Sequence, residues 1–130
     1  MLKRTVNYED FNGDQKTKDY YFNFTEAELA ELELSVDGGL STLLEKIIHE
    51  QDRRELIGYF KKLVLMAYGE KSADGELFIK NEEVRSKFES SAAYAALFME
   101  FATNATAAAE FVNGVLPKSV RKNLEEENKA

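Results

Sequence analysis

Two hydrophobic rhythms meet at Thr25, and that change of rhythm limits the folds open to this chain. Up to residue 24, Leu2, Arg4, Val6 and Tyr8 alternate with Lys3, Thr5, Asn7 and Glu9, and Tyr20, Phe22 and Phe24 alternate with Tyr21 and Asn23. Period two with aromatic and β-branched residues is the strand pattern. Asn12-Gly13 between the runs supplies the positive φ angles that a tight hairpin turn demands. Beyond Thr25 the apolar residues recur at helical spacing. The expected fold is therefore α+β, mostly α: an N-terminal β-hairpin over residues 2–24, then a bundle of about five or six helices over 25–117. A lone hairpin is marginal in water, so its aromatic face must pack on the helices or pair with another chain. Both outer edges of such a hairpin are open to a further strand.

The helix boundaries follow from capping chemistry. Thr25-Glu26-Ala27-Glu28 is a capping box, in which threonine and glutamate satisfy each other's backbone amides. The helix it starts carries Leu29, Leu32 and Val36, and Asp37-Gly38-Gly39 is its expected stop. A second helix carries the stripe Leu40, Leu43, Leu44, Ile47 and Ile48. Asp52-Arg53-Arg54-Glu55 opens a third, with Leu56, Phe60, Leu63, Val64 and Ala67 on one face and Gly69 as its stop. Helices two and three are either separate or one long helix bent near Asp52. Residues 70–80 read as a loop with a turn and a short extended piece at 77–79. Asn81 caps a fourth helix that buries Val84 and Phe88, and Ser90 or Ser91 caps a fifth with Tyr94, Leu97, Phe98 and Phe101. Asn104 or Thr106 restarts the chain into a last segment with Ala108, Phe111, Val112 and Val115, ended by Asn113-Gly114 and Pro117. Residues 118–130 are polar and read as a flexible tail on a single domain of residues 1–117.

Charge and chemistry exclude several function classes. The net charge is −7, and residues 25–116 carry nine basic against seventeen acidic side chains. Such a surface repels phosphate backbones, which argues against nucleic-acid partners. No run of apolar residues is long enough to span a membrane. There is no cysteine and one histidine, His49, so a zinc site lacks ligands and no nucleophile–base pair is signalled. Asp10, Asn12 and Asp14 have the spacing that opens a calcium loop. Gln15 and Tyr21 then stand where that loop requires glycine and glutamate, so the hairpin reading prevails. No phosphate loop, nucleophile elbow or catalytic carboxylate pair is present. The chain reads as a non-enzyme without metal or cofactor.

What remains is an oversupply of apolar surface. Leu65 points nearly opposite the Leu63/Val64 face, with Met66 to one side; a helix buried on two sides is the plainer explanation. Half of the residues from Ala92 to Ala109 are alanine. Around Tyr94, Leu97, Phe98 and Phe101, the positions Ala92, Ala95, Ala96 and Met99 make that helix apolar nearly all round. A helix of this kind is central to its bundle or covered by a partner. Leu65, Met66, Met99 and Phe101 are the partner-contact candidates, methionine because it adapts to varied shapes.

The opening Lys3-Arg4-Thr5-Val6-Asn7-Tyr8-Glu9-Asp10-Phe11-Asn12-Gly13, with residues 19–29, 33–40 and 68–75, resembles the tail assembly chaperones of long-tailed phages and prophages of Gram-positive bacteria. The likeness runs from about Lys3 to Pro117. The resemblance implies a protein that binds the tape measure protein, keeps that long helical chain soluble and helps tail-tube subunits assemble around it. It also implies action in the cytoplasm of the infected or lysogenic bacterium and absence from the finished virion. Self-association, or pairing with a frameshift-extended form of the chain, belongs to the same expectation. The family has no catalytic residues to carry over. The rival readings are a permanent tail or connector component, disfavoured by the helical majority, and a host-directed acidic inhibitor, disfavoured by the mixing of acids with lysines and arginines.

Overall fold

The computed structural model describes residues 1–33, 45–47, 49 and 52–117. The strands are β1 (Leu2–Glu9), β2 (Gln15–Phe22), β3 (Tyr68–Lys71) and β4 (Phe78–Ile79). The helices are α1 (Glu26–Glu33), α2 (Arg53–Ala67), α3 (Glu82–Glu89), α4 (Ala92–Thr103) and α5 (Ala105–Val115). The fold is α+β and mostly α, as its two rhythms require. The expected stop at Asp37-Gly38-Gly39, most of the Leu40–Ile48 stripe and the tail 118–130 lie outside the described residues.

The hairpin forms in the register set by its turn, with Leu2 opposite Phe22 and Glu9 opposite Gln15. The turn is not the two-residue type. Gly13 N–H donates to Asp10 O at 3.0 Å, Asp10 N–H donates to Asp14 O at 2.9 Å, and only Gly13 takes a positive φ, +85°. That is a type I turn followed by a left-handed glycine, the next most common hairpin solution. The Asp10 carboxylate accepts from the amides of Asn12 and Asp14, both at 2.9 Å. Those bonds, the Asp14 amide first, hold its pKa below the usual value. Asp10 Oδ1 is thereby committed to the turn.

The hairpin does not stand alone. α2 stops at Ala67, beside the expected Gly69 stop, and the short extended piece expected at 77–79 is β4; the strand that sequence reasoning misses is β3, Tyr68–Lys71, which joins the sheet in the order β1-β2-β3-β4. Gly69 lies opposite Tyr21. A Cβ at Gly69 would sit 2.8 Å from the Phe78 ring and 3.0 Å from Ile79 O, so only glycine lets β4 close this tightly. β2 also ends at Phe22, two residues short of the expected limit.

Each described cap uses the side chain that capping chemistry selects. Thr25 and Glu28 bond reciprocally at 3.0 and 3.1 Å. Asp52, Asn81, Ser91 and Asn104 accept from Arg54, Val84, Tyr94 and Ala107 amides. Asp52 has extended backbone, so a new helix starts at Arg53 rather than continuing through a bend. α5 runs through Gly114 to Val115 and ends before Pro117.

One face of the sheet packs on the helices through rings. Phe22 in β2 is fully buried and lies 5.1 Å from Phe111, 5.7 Å from Phe88 and 5.7 Å from Tyr68. Tyr68 stacks on Phe88 at 4.0 Å, and Phe111 continues the cluster to Phe60 and Phe101. Arg4 of β1 reaches Glu100 of α4 in an ion pair and lies over the Phe101 ring. Lys80, just past β4, donates to Asn23 O and, at 2.7 Å, to the capping glutamate Glu28. Its ammonium sits 4.6 Å from the Phe24 ring. Burial pulls its pKa down against the pull of Glu28.

Two outcomes test this packing. Gly69→Ala lowers unfolding free energy by about 1–3 kcal/mol through overpacking, whereas Gly58→Ala, in open space within α2, raises it by about 0.5–1 kcal/mol; denaturant titration reads both. Burial also raises the phenol pKa values of Tyr20, Tyr68 and Tyr94, that of Tyr94 to about 12 from 10.0. The Tyr94 hydroxyl finds no hydrogen-bond partner among the described residues. Because the unfolded chain ionises first, this contribution to stability is complete below pH 10 and is lost as the pH rises toward 12. Tyr94→Phe flattens that alkaline loss in thermal melts; an unchanged loss would contradict the burial of the phenol.

Candidate functional site

An apolar groove is the site that the helices build. α4 and α5 are joined by Asn104 alone, whose extended backbone turns the chain sharply while its side chain caps α5 through Ala107 N–H at 3.1 Å. Inside this corner stand Phe98, Phe101, Ala102 and Thr103 from α4 and Ala105, Ala108, Ala109 and Val112 from α5. Leu56, Ile57 and Phe60 from the start of α2, with Ile47, form the facing wall. The space between them is about 480 Å³, within the range of ligand pockets.

The space exists because alanine occupies the positions where a larger side chain would meet α2. Ala105, Ala108, Ala109 and Val112 share one helix face by their spacing, while Ala107, Phe111 and Val115 face the core. Among the described residues no lining side chain is charged. The Thr103 hydroxyl donates back to Met99 O at 2.7 Å within its own helix. The groove therefore offers shape and dryness but no polar grip. It can gain free energy only by taking apolar surface out of water, at roughly 25 cal/mol per Å².

The four partner-contact candidates separate here. Phe101 lines the groove, yet it is only 4% exposed and belongs to the core cluster. Leu65 is 9% exposed. It lies on the side of α2 that α3 covers, where Arg85 Nε donates to Leu65 O at 3.3 Å and Lys61 pairs with Glu89 at 3.3 Å. α2 is thus buried on two sides, and Leu65 is a core residue rather than a free surface. Met66 is half-buried against the core. Met99 is 58% exposed and lies one turn before Ala102 and Thr103, beside the groove mouth. Sequence reasoning places Leu56 and Phe60, and Ala108 and Val112, on the apolar faces of their own helices and does not bring those faces together with Ile47, Ile57 and the other alanines of α5. The available signal was the alanine density of residues 105–109 on a helix that otherwise buries large rings.

His49 is exposed. Among the described residues no group of three His, Cys, Asp or Glu side chains is placed to hold a metal ion. No helix among them is long and apolar enough to cross a membrane.

A groove without charge predicts its own ionic behaviour. The folded protein should bind an uncharged solvatochromic dye such as Nile red, with fluorescence little changed by added salt or by pH across the neutral range. Ala109→Glu, at an exposed lining position, should remove at least roughly half of that fluorescence without lowering thermal stability. Dye binding that survives this substitution would place the apolar surface elsewhere.

Compared with known proteins, the whole chain, residues 1–130, matches the family model described as phage tail assembly chaperone. No curated protein and no solved structure matches it.

Proposed function

We propose, from the premise that this chain belongs to the phage tail assembly chaperone family, that its client is the tape measure protein and that the groove between α2, α4 and α5 shelters an apolar helical stretch of it. The observation that carries this reading is the uncharged groove of about 480 Å³. A helix-in-groove contact needs such a trough to take side chains spaced i, i+3 or i+4, and i+7. The alanine wall lets a client backbone come close, and Phe98 and Phe101 give the floor flat apolar area. Met99 and Met66 are proposed as adaptable flanking contacts, suited to a client of varied sequence.

Charge supports the same reading. The body of the chain is acidic, with a net charge of −7 overall. A complex that carries that charge stays dispersed while its client's apolar face is covered. The work is non-covalent. It takes place in the cytoplasm of a bacterium that hosts a long-tailed phage or prophage, Gram-positive by the resemblance of the opening residues. Residues 1–117 form the unit that does it, and the chaperone departs before the virion is complete.

Co-expression tests the client directly. A tape measure fragment made with this protein should move from the pellet to the soluble fraction and co-purify with it. Ala109→Glu should lose most of that effect while remaining folded by circular dichroism. A client that stays in the pellet with wild-type protein would refute the reading, and tail-stoichiometric amounts of this chain in purified virions would refute its departure.

A further inference from the structure

α1 is a short helix with little of its own to hold it in place. It has eight residues, fewer than an isolated helix needs in water. No basic residue in its last turn answers the helix dipole. Leu29 joins the core cluster, whereas Glu26, Ala27, Ala30 and Glu31 are exposed. The chain just before it is firmly tied. Asn23 N–H donates to Ala67 O at 2.9 Å, Phe24 N–H donates to Val115 O at 3.1 Å, and the Phe24 side chain is buried. The packed body thus reaches as far as Phe24, and α1 begins directly after it.

A side chain from far along the sequence reaches across to α1. Lys80 directly follows β4, and its ammonium donates to Glu28 Oε2 at 2.7 Å and to Asn23 O. The Phe24 and Phe78 rings lie beneath it, at 4.6 and 5.7 Å. Glu28 Oε1 meanwhile accepts from Thr25 N–H at 3.0 Å. A single carboxylate therefore closes the helix cap with one oxygen and grips the body with the other. The start of α1 and its docking share one residue.

Opposed effects leave this tie finely balanced. The side chain of Lys80 is 13% exposed and that of Glu28 32%. Partial withdrawal from water strengthens their attraction, and the same withdrawal costs hydration. Burial lowers the Lys80 pKa while Glu28 raises it. If α1 lifted away, both charges would regain water, and Leu29 would leave the core cluster. The large rings of the core would keep their own contacts, because Phe22, Phe88 and Phe111 pack on one another.

We propose that Lys80 is a latch, and that α1 opens from the body and recloses as a unit of its own while the sheet and α2–α5 stay folded. Local opening of this kind belongs to elements with few buried contacts. The hinge lies between Phe24, fixed to α5 through Val115 O, and Thr25, which caps the helix. The latch also links α1 to the last strand of the sheet, because a shift of β4 moves the ammonium that follows it. The inference is independent of the client assignment, since it concerns motion within one copy.

Amide hydrogen exchange of the full chain, read by NMR, tests it. In the wild type, with intrinsic rates factored out, Leu29, Ala30 and Glu31 should exchange at least about tenfold faster than Leu63, Val64 and Phe111. Low denaturant should hardly change the α1 rates, because a local opening exposes little surface. Lys80→Met keeps an apolar stem without the charge, and Glu28→Gln can still cap but cannot form the ion pair. Each should speed α1 exchange at least about threefold while the sheet and α2–α5 keep native chemical shifts. The double variant should stay within about twofold of Lys80→Met alone, because both changes remove one contact. Wild-type α1 amides that exchange as slowly as Leu63, and with the same denaturant dependence, overturn the proposal. So do α1 rates unchanged in both variants, effects that multiply in the double variant, or loss of native shifts throughout the molecule in both single variants.

Discussion

The contact between Phe22 and Phe111 is the joint on which the rest of the architecture depends. Phe22 is the last residue of β2 and has no exposed surface, and Phe111 is the central ring of α5. Their centroids are 5.1 Å apart in an edge-on arrangement, the geometry that ring quadrupoles favour. Phe88 and Tyr68 complete one side of this cluster, Phe60 and Phe101 the other. The cluster solves the hairpin's instability, because two strands bury too little alone. It also fixes where α5 lies, and with it the face that Ala105, Ala108 and Ala109 present to α2.

The same joint explains why the described residues leave a gap in this corner. Phe101 and Phe60 are drawn toward Phe111, at 4.9 and 5.8 Å. The rings that could have filled the corner are thereby committed to the core, and alanine is what remains to face them from α5. A packed interior tolerates few voids larger than a water molecule. Among the described residues, a trough of about 480 Å³ bounded by apolar side chains is too large to be a packing defect of the core. Membership in the tail assembly chaperone family places the protein among chaperones of phage tail assembly.

Polar contacts hold the periphery rather than the centre. Among the described residues no polar or charged side chain is buried in the core. Lys80 comes nearest, joining the end of β2, the capping box of α1 and the Phe24 ring. Arg4 does the same for β1 and α4, with Phe101 beneath its guanidinium. Both cations lay their aliphatic stems along apolar surface and place the charge at its margin. These ties orient the sheet against the helices, at a desolvation cost that for Lys80 shows in its lowered pKa.

What was legible in the sequence is what short-range chemistry decides. The two-residue period of 2–9, the capping box at Thr25-Glu28 and the caps Asp52, Asn81, Ser91 and Asn104 each depend on neighbours within a few residues. The family resemblance was carried by such local runs, and the whole-chain match agrees with it. Only tertiary structure decided that Tyr68–Lys71 joins β2, because that pairing closes a separation of 46 residues between Phe22 and Tyr68, and Gly69 reads as a helix stop until Phe78 lies against it. Only packing decided that Leu65 is covered by α3 while Met99 is left bare. An apolar residue records its need for burial in the sequence, whereas the element that meets the need comes from elsewhere in the chain.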